Sequence, residues 1–126
     1  MKDIAADDKE IALIQKSLDG RITAWNDVAE RMFGYSAAEA IGKHISIVIP
    51  FDYQDEEYEL LDRLKKEDYL EVRRTVRRSK AGRLFSVMLS ATPIRNEEGK
   101  IVGATKRVRY LTEAEDIAAL ADQKGA

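Results

Sequence analysis

The 126-residue chain contains no cysteine. That absence rules out disulfides, thiolate metal sites, cysteine nucleophiles and any photochemistry that forms a thiol adduct, and it fits a reducing compartment. Proline is almost as scarce, with two residues, and no proline- or glycine-rich linker divides the chain. Apolar runs are a few residues long, far short of the roughly 20 needed to span a bilayer. Excess charge is also missing: 21 basic against 23 acidic residues leave a net charge of −2, which provides no nucleic-acid footprint. Residues 1–10 are polar and acidic rather than basic then apolar, so they are not a secretory leader. These absences predict a soluble, cytoplasmic protein without membrane insertion.

What is present suits one domain with one core. Apolar residues make up 44% of the chain and charged residues 35%, and a domain of this size buries roughly two-thirds of its unfolded surface. Residues 11–17 and 21–25 are β-prone runs on either side of Leu18-Asp19-Gly20, a hairpin signal because glycine accepts the positive φ of a tight turn. Asn26 is a good helix N-cap, with Val28, Ala29, Met32 and Phe33 at helical spacing before Gly34. Ser36 to Glu39 reads as a capping box opening a short helix that Gly42 ends. Residues 45–49 are ambiguous between strand and short helix, and Pro50 marks their end. Residues 52–66 read as a helix with Tyr58, Leu61 and Leu64 on one face and Leu60 beside Leu64. Its acidic start (Asp55, Glu56, Glu57) and basic end (Lys65, Lys66) suit the helix dipole.

Residues 70–79, 84–94 and 101–110 read as three strands. In the second, Phe85, Val87, Leu89 and Ala91 alternate with Ser86, Met88, Ser90 and Thr92. Thr112 to Glu115 forms another capping box, opening a terminal helix with Ile117, Leu120 and Ala121 on one side. The predicted fold is therefore α+β: a five-stranded antiparallel sheet with short helices packed on one face, plus a C-terminal exit helix.

This order resembles the PAS family. Leu18 to Asn26 looks like the family's first hairpin and helix cap, and residues 33–43 like its most recognisable helical segment. Ile49-Pro50 looks like the approach to its long helix, and Ala81-Gly82 and residues 96–103 like its later hairpins. Ala81 stands where the family usually has Asp. Arg109-Tyr110-Leu111-Thr112-Glu113 resembles its exit motif, except that Tyr110 replaces the Asp that ties the sheet to the output helix. The likeness divides the chain into an N-terminal extension (1–10), a PAS domain (11–111) and an exit or linker helix (112–126).

The resemblance implies a sensor that binds a small ligand, dimerises, or both, and relays its state to an effector of histidine-kinase or cyclic-dinucleotide type. It places a pocket between the inner sheet face and the long helix, with Leu89, Ala91, Val87, Val108 and Tyr58 around it; the same residues also suit a plain core. If Ala104, Lys106 and Val108 share the inward face, Lys106 needs a carboxylate or an anionic ligand. Arg73, Thr75 and Arg77 share that side in one register. The other register turns Val72 and Val76 inward and leaves a basic strand face exposed. Tyr110, Thr112 and Glu115 are the expected relay residues. Haem is disfavoured, because the family's haem-binding members use a histidine on the long helix and residues 51–66 contain none; a cysteine-adduct flavin is disfavoured by the missing thiol. His44, the lone histidine, reads as a surface or half-buried side chain. Trp25 reads as a ring covering one end of the sheet.

Two other classes compete. An enzyme would need convergent titratable groups, yet the acidic residues cluster at helix starts and turns, where solvation explains them, and no metal-ligand spacing is present. A ligand-free dimerisation or docking module would use Met88, Ile117 and Leu120 as apolar surface.

Overall fold

The computed structural model describes residues 10–67 and 71–118; the expectations for residues 1–9, Leu70, Leu120 and Ala121 lie outside them. β1 (Ala12–Ser17) alternates buried Ala12, Ile14 and Lys16 with exposed Leu13 and Gln15, so one face turns inward. β2 (Ile22–Trp25) pairs with it across the turn at Leu18 to Gly20, and a bulge between Gln15 and Lys16 offsets the register. On its other side β1 pairs with β5 (Ile101–Tyr110), the last strand in sequence. Gly103 makes this pairing possible, because a Cβ there would lie 2.2 Å from the Lys16 carbonyl oxygen.

α1 (Asp27–Phe33) is capped by Asn26, whose side chain accepts from the Ala29 N–H at 2.9 Å. α2 (Ala37–Ala40) opens with the reciprocal Ser36/Glu39 box. The ambiguous segment is a 3₁₀ turn (Ile45–Val48) that His44 caps by accepting from the Ser46 N–H at 3.1 Å. A second 3₁₀ turn (Phe51–Tyr53) follows Pro50, so the long helix α3 (Asp55–Glu67) begins three residues later than the sequence suggests.

β3 (Glu71–Arg78) and β4 (Leu84–Arg95) complete an antiparallel sheet of order β2-β1-β5-β4-β3. The helices close its inner face, and Ile14, Phe33, Val48, Leu64, Val87 and Val108 meet there with almost no exposure. Each such side chain contributes about 1.5–3 kcal/mol by leaving water. Residues 113–118 form a C-terminal helix, α4. No described helix is long and apolar enough to cross a membrane.

Candidate functional site

Strand parity brings charge into the core. Arg77 and Thr75 are buried on the inner face of β3 while Val72 is 60% exposed, which settles the register in favour of the inward arginines. The reason is the acidic start of α3 above them. Thr75 donates to Glu56 Oε2 at 2.5 Å and Arg77 to Glu56 Oε1 at 3.1 Å. Arg77 also reaches the Val76 carbonyl at 2.8 Å. Arg73, half-buried, lies 3.6 Å from Glu56 Oε2. Arg74 remains exposed on the other face, so the basic run is split as alternation requires.

The centre of the cluster is Glu57. Lys106 on β5, flanked in register by Ile14 and Ala91, donates to Glu57 Oε1. Lys16 on β1 places its Nζ 2.7 Å from Glu57 Oε2. One ammonium thus faces each carboxylate oxygen, and all three residues are at least nine-tenths buried. Burial alone would push the Glu57 carboxyl up, but Lys106 and Lys16 outweigh it and hold the pKa down at about 2. Burial pushes the Lys106 ammonium down to about 8, against the pull of Glu57. Burial likewise lowers Arg77, with Glu56 opposing.

Two expectations are corrected here. The acidic residues at the start of α3 are not simply solvated: Glu57 is 7% exposed. Nor is the buried stripe of α3 the one through Tyr58 and Leu61. Glu57, Leu60 and Leu64 occupy it at spacings of three and four, and this turns Tyr58 outward, to 74% exposure. Helix period and dipole both admit either face; the unpaired lysines opposite select the one that carries a carboxylate.

Beside Glu57 lies a cavity of about 250 Å³ between the β1–β2 turn, the 3₁₀ segment and α3. Asp19, His44, Gln54 and Tyr58 supply its polar lining, and Leu18, Ile49 and Leu61 its apolar walls. His44 is half-buried against Gly20, where a Cβ would come within 2.3 Å of its Nε2. Val87, Leu89, Ala91 and Val108 are buried and pack in the core, outside this lining. No described group of three or more histidine or acidic side chains is arranged to hold a metal.

A second charged assembly sits where the sheet ends. Arg109 grips Glu115 through two hydrogen bonds of 2.8 Å. Glu115 Oε1 also accepts from the Thr112 N–H at 2.8 Å, and Thr112 Oγ1 accepts from the Glu115 N–H at 3.2 Å. The hydrogen bonds from Arg109, then from the Thr112 backbone, hold the Glu115 carboxyl down at about 2. Tyr110 joins this assembly through its backbone, its carbonyl accepting from Arg109 at 3.2 Å. Its ring lies 5.5 Å from Phe85 and ends a row of contacts running back through Phe33 to Trp25. Trp25 Nε1 donates to the Tyr35 carbonyl at 2.9 Å, tying that ring to the helical layer.

Three comparisons place this geometry among known proteins. The PAS-fold family profile matches residues 11–109. The chain shares 24% identity and a TM-score of 0.75 with a PAS domain from Colwellia psychrerythraea, covering 88% of this chain and 99% of that one. A light-oxygen-voltage domain whose mechanism was probed with a flavin analogue is 14% identical at a TM-score of 0.72, over 97% of this chain and 93% of its own. The PAS domain of Bordetella pertussis BvgS is 21% identical at a TM-score of 0.66, with the same coverages of 97% and 93%. No curated protein matches by sequence.

Proposed function

We propose that this chain, which belongs to the PAS family, is a sensor domain that reads the contact between α3 and the inner sheet face and reports it through the exit helix. One observation carries this reading. β5 bears both charged assemblies: Lys106 joins it to α3, and Arg109, three residues on, joins it to α4. At about 3.4 Å per residue the two anchors are roughly 10 Å apart along one strand. Opposite parity sends one side chain into the core and the other to the outer face, so a shift of β5 acts on both.

In this mechanism a small ligand, anionic by the sign of the buried lysines, enters beside Glu57 and changes how α3 sits on Lys106. The strand responds, and the balance between capped and released exit helix shifts. Tyr110, Thr112 and Glu115 all belong to the output side; Tyr110 stands at the family's Asp position, and Arg109 beside it supplies the ion pair to α4. An effector of histidine-kinase or cyclic-dinucleotide type, in a homodimeric and cytoplasmic parent protein, fits this role. The domain itself needs no catalytic residue.

The test is hydrogen exchange of the amides of residues 112–118 in the chain and in Glu57→Gln. Faster exchange in the variant supports the relay, and unchanged exchange sinks it.

The ligand-free docking reading also has an observation behind it. Glu57 already serves as counter-ion to both Lys16 and Lys106 without a guest, while Val72, Leu13 and Ile117 expose apolar surface. Native mass spectrometry separates the two: a retained small molecule favours the sensor, and an empty dimer favours docking.

A further inference from the structure

We infer that Glu57 is the built-in occupant of a carboxylate site, and that a small organic acid entering the adjoining cavity displaces it from Lys16 and Lys106; this rests on the sensor reading above. Three observations combine. First, an ammonium faces each carboxylate oxygen: Lys106 donates to Oε1, while Lys16 forms a 2.7 Å ion pair with Oε2 that lacks hydrogen-bond geometry, leaving Oε2 the weaker-held end. Second, the two cations come from rigid strands of the sheet, whereas the anion sits on the side chain of a surface helix, in the first turns of α3. A glutamate there leaves by side-chain rotation, while the backbones that carry the lysines are each held by a neighbouring strand on both sides. Third, Glu57 itself lines the cavity, so a guest in that space adjoins the carboxylate it must replace.

Charge and size then define the guest. Buried Lys16, Lys106 and Arg77 carry three positive charges against the two of Glu56 and Glu57. When Glu57 swings out, the lysines require a replacement anion, since an unpaired buried ammonium costs several kcal/mol. A volume of about 250 Å³ falls below the roughly 300–1,000 Å³ typical of sites for drug-sized ligands. The class is therefore a short-chain carboxylic acid. The Asp19 carboxylate also lines the cavity and repels an anion there, so the guest's own carboxylate must take the place of Glu57 at the lysines, with its tail against Leu18, Ile49 and Leu61 and with His44 and Gln54 at hand for a second polar group. Glu57 acts as a competitor: it offsets part of the positive charge of the empty site and sets the threshold that the acid must exceed.

Acetate is the probe. The full chain, Glu57→Gln and Glu57→Gln/Lys106→Met are titrated with sodium acetate, sodium phosphate and sodium chloride at matched ionic strength, following backbone amide shifts. The expected result is saturable acetate shifts centred on residues 16 and 106, with affinity about tenfold or more higher in Glu57→Gln than in the unaltered chain, and loss of that gain in the double variant. Phosphate binding as tightly as acetate would overturn the carboxylate class. If Glu57→Gln keeps a folded spectrum but shows no saturable acetate shifts, the proposal is overturned. Should Glu57→Gln fail to fold, the unaltered chain decides, because saturation at residues 16 and 106 supports the site and a chloride-like response rejects it. Acetate binding with an unmoved exit helix would reject the relay and keep the site. A loosened exit helix in Glu57→Gln without acetate binding would do the reverse.

Discussion

Glu57 and Glu115 are both held at a pKa of about 2, but for different reasons and with different worth. Glu57 is buried, and its ionised form survives only because two ammoniums overcome the cost of leaving water. Glu115 stands at the surface, where the Arg109 fork and the Thr112 N–H lower its pKa with little desolvation to overcome. Removing a partner from the first group strands a charge in the core; removing one from the second returns a side chain to solvent. One is a keystone of packing, and the other a latch on a short helix. A sensor needs both kinds, since a latch as costly as the core would never release.

The largest expected effect separates them most sharply. Glu57→Ala should lower global stability by about 3–5 kcal/mol, the usual result of breaking a buried ion pair on one side. Arg109→Ala should leave the urea midpoint nearly unchanged. Replacing the whole trio, as Lys16→Met/Glu57→Leu/Lys106→Met, should recover most of the loss. A triple variant as unstable as Glu57→Ala would show that packing, not charge, dominates.

Acid gives the next effect. Glu57 has a folded pKa below its ordinary 4.5, so its contribution is complete above that value and is lost as pH falls toward about 2. Urea midpoints measured from pH 5 downward should drop in this window (on the order of pH 4.5 to 2), and Glu57→Gln should flatten the drop. Lys106 runs the opposite way. Its folded pKa of about 8 lies below the ordinary 10.5, so the unfolded chain holds more protons between those values, and Lys106 opposes any alkaline loss of stability there.

The output side is subtler. Thr112→Ala removes the cap at Glu115 N and should weaken α4 alone by about 1 kcal/mol, read as roughly fivefold faster amide exchange over residues 113–118. The smallest effect is that of salt. At 1 M the screening length is about 3 Å, so the half-buried Arg109–Glu115 pair should loosen while the Lys16–Glu57–Lys106 contacts hold. Equal salt sensitivity of both would erase the distinction.

The sheet, the capped helices and the exit box were readable because each rests on short-range patterning: Asn26, Ser36 with Glu39, and Thr112 with Glu115 carry their own hydrogen-bond logic. Lys106 was readable as a problem, a lysine at an inward parity, but its solution was not. Glu57 stands in an acidic run whose helix-dipole role already explains it. Only its spacing of three and seven from Leu60 and Leu64 marks it as inward. Lys16 carries a similar signal, sharing parity with Ala12 and Ile14 at the end of β1. Arg109 was visible in the exit motif, yet its pairing depends on where α4 leaves the sheet, which local sequence does not determine.

A single acidic side chain bridging two basic ones links three distant stretches of the gene. A lineage that loses the glutamate at position 57 inherits two uncompensated lysines, and one that loses a lysine inherits half an answer. Descendants of this protein should therefore change positions 16, 57 and 106 together or leave all three alone. A family tree in which they vary independently would mean that the bridge had never been under selection.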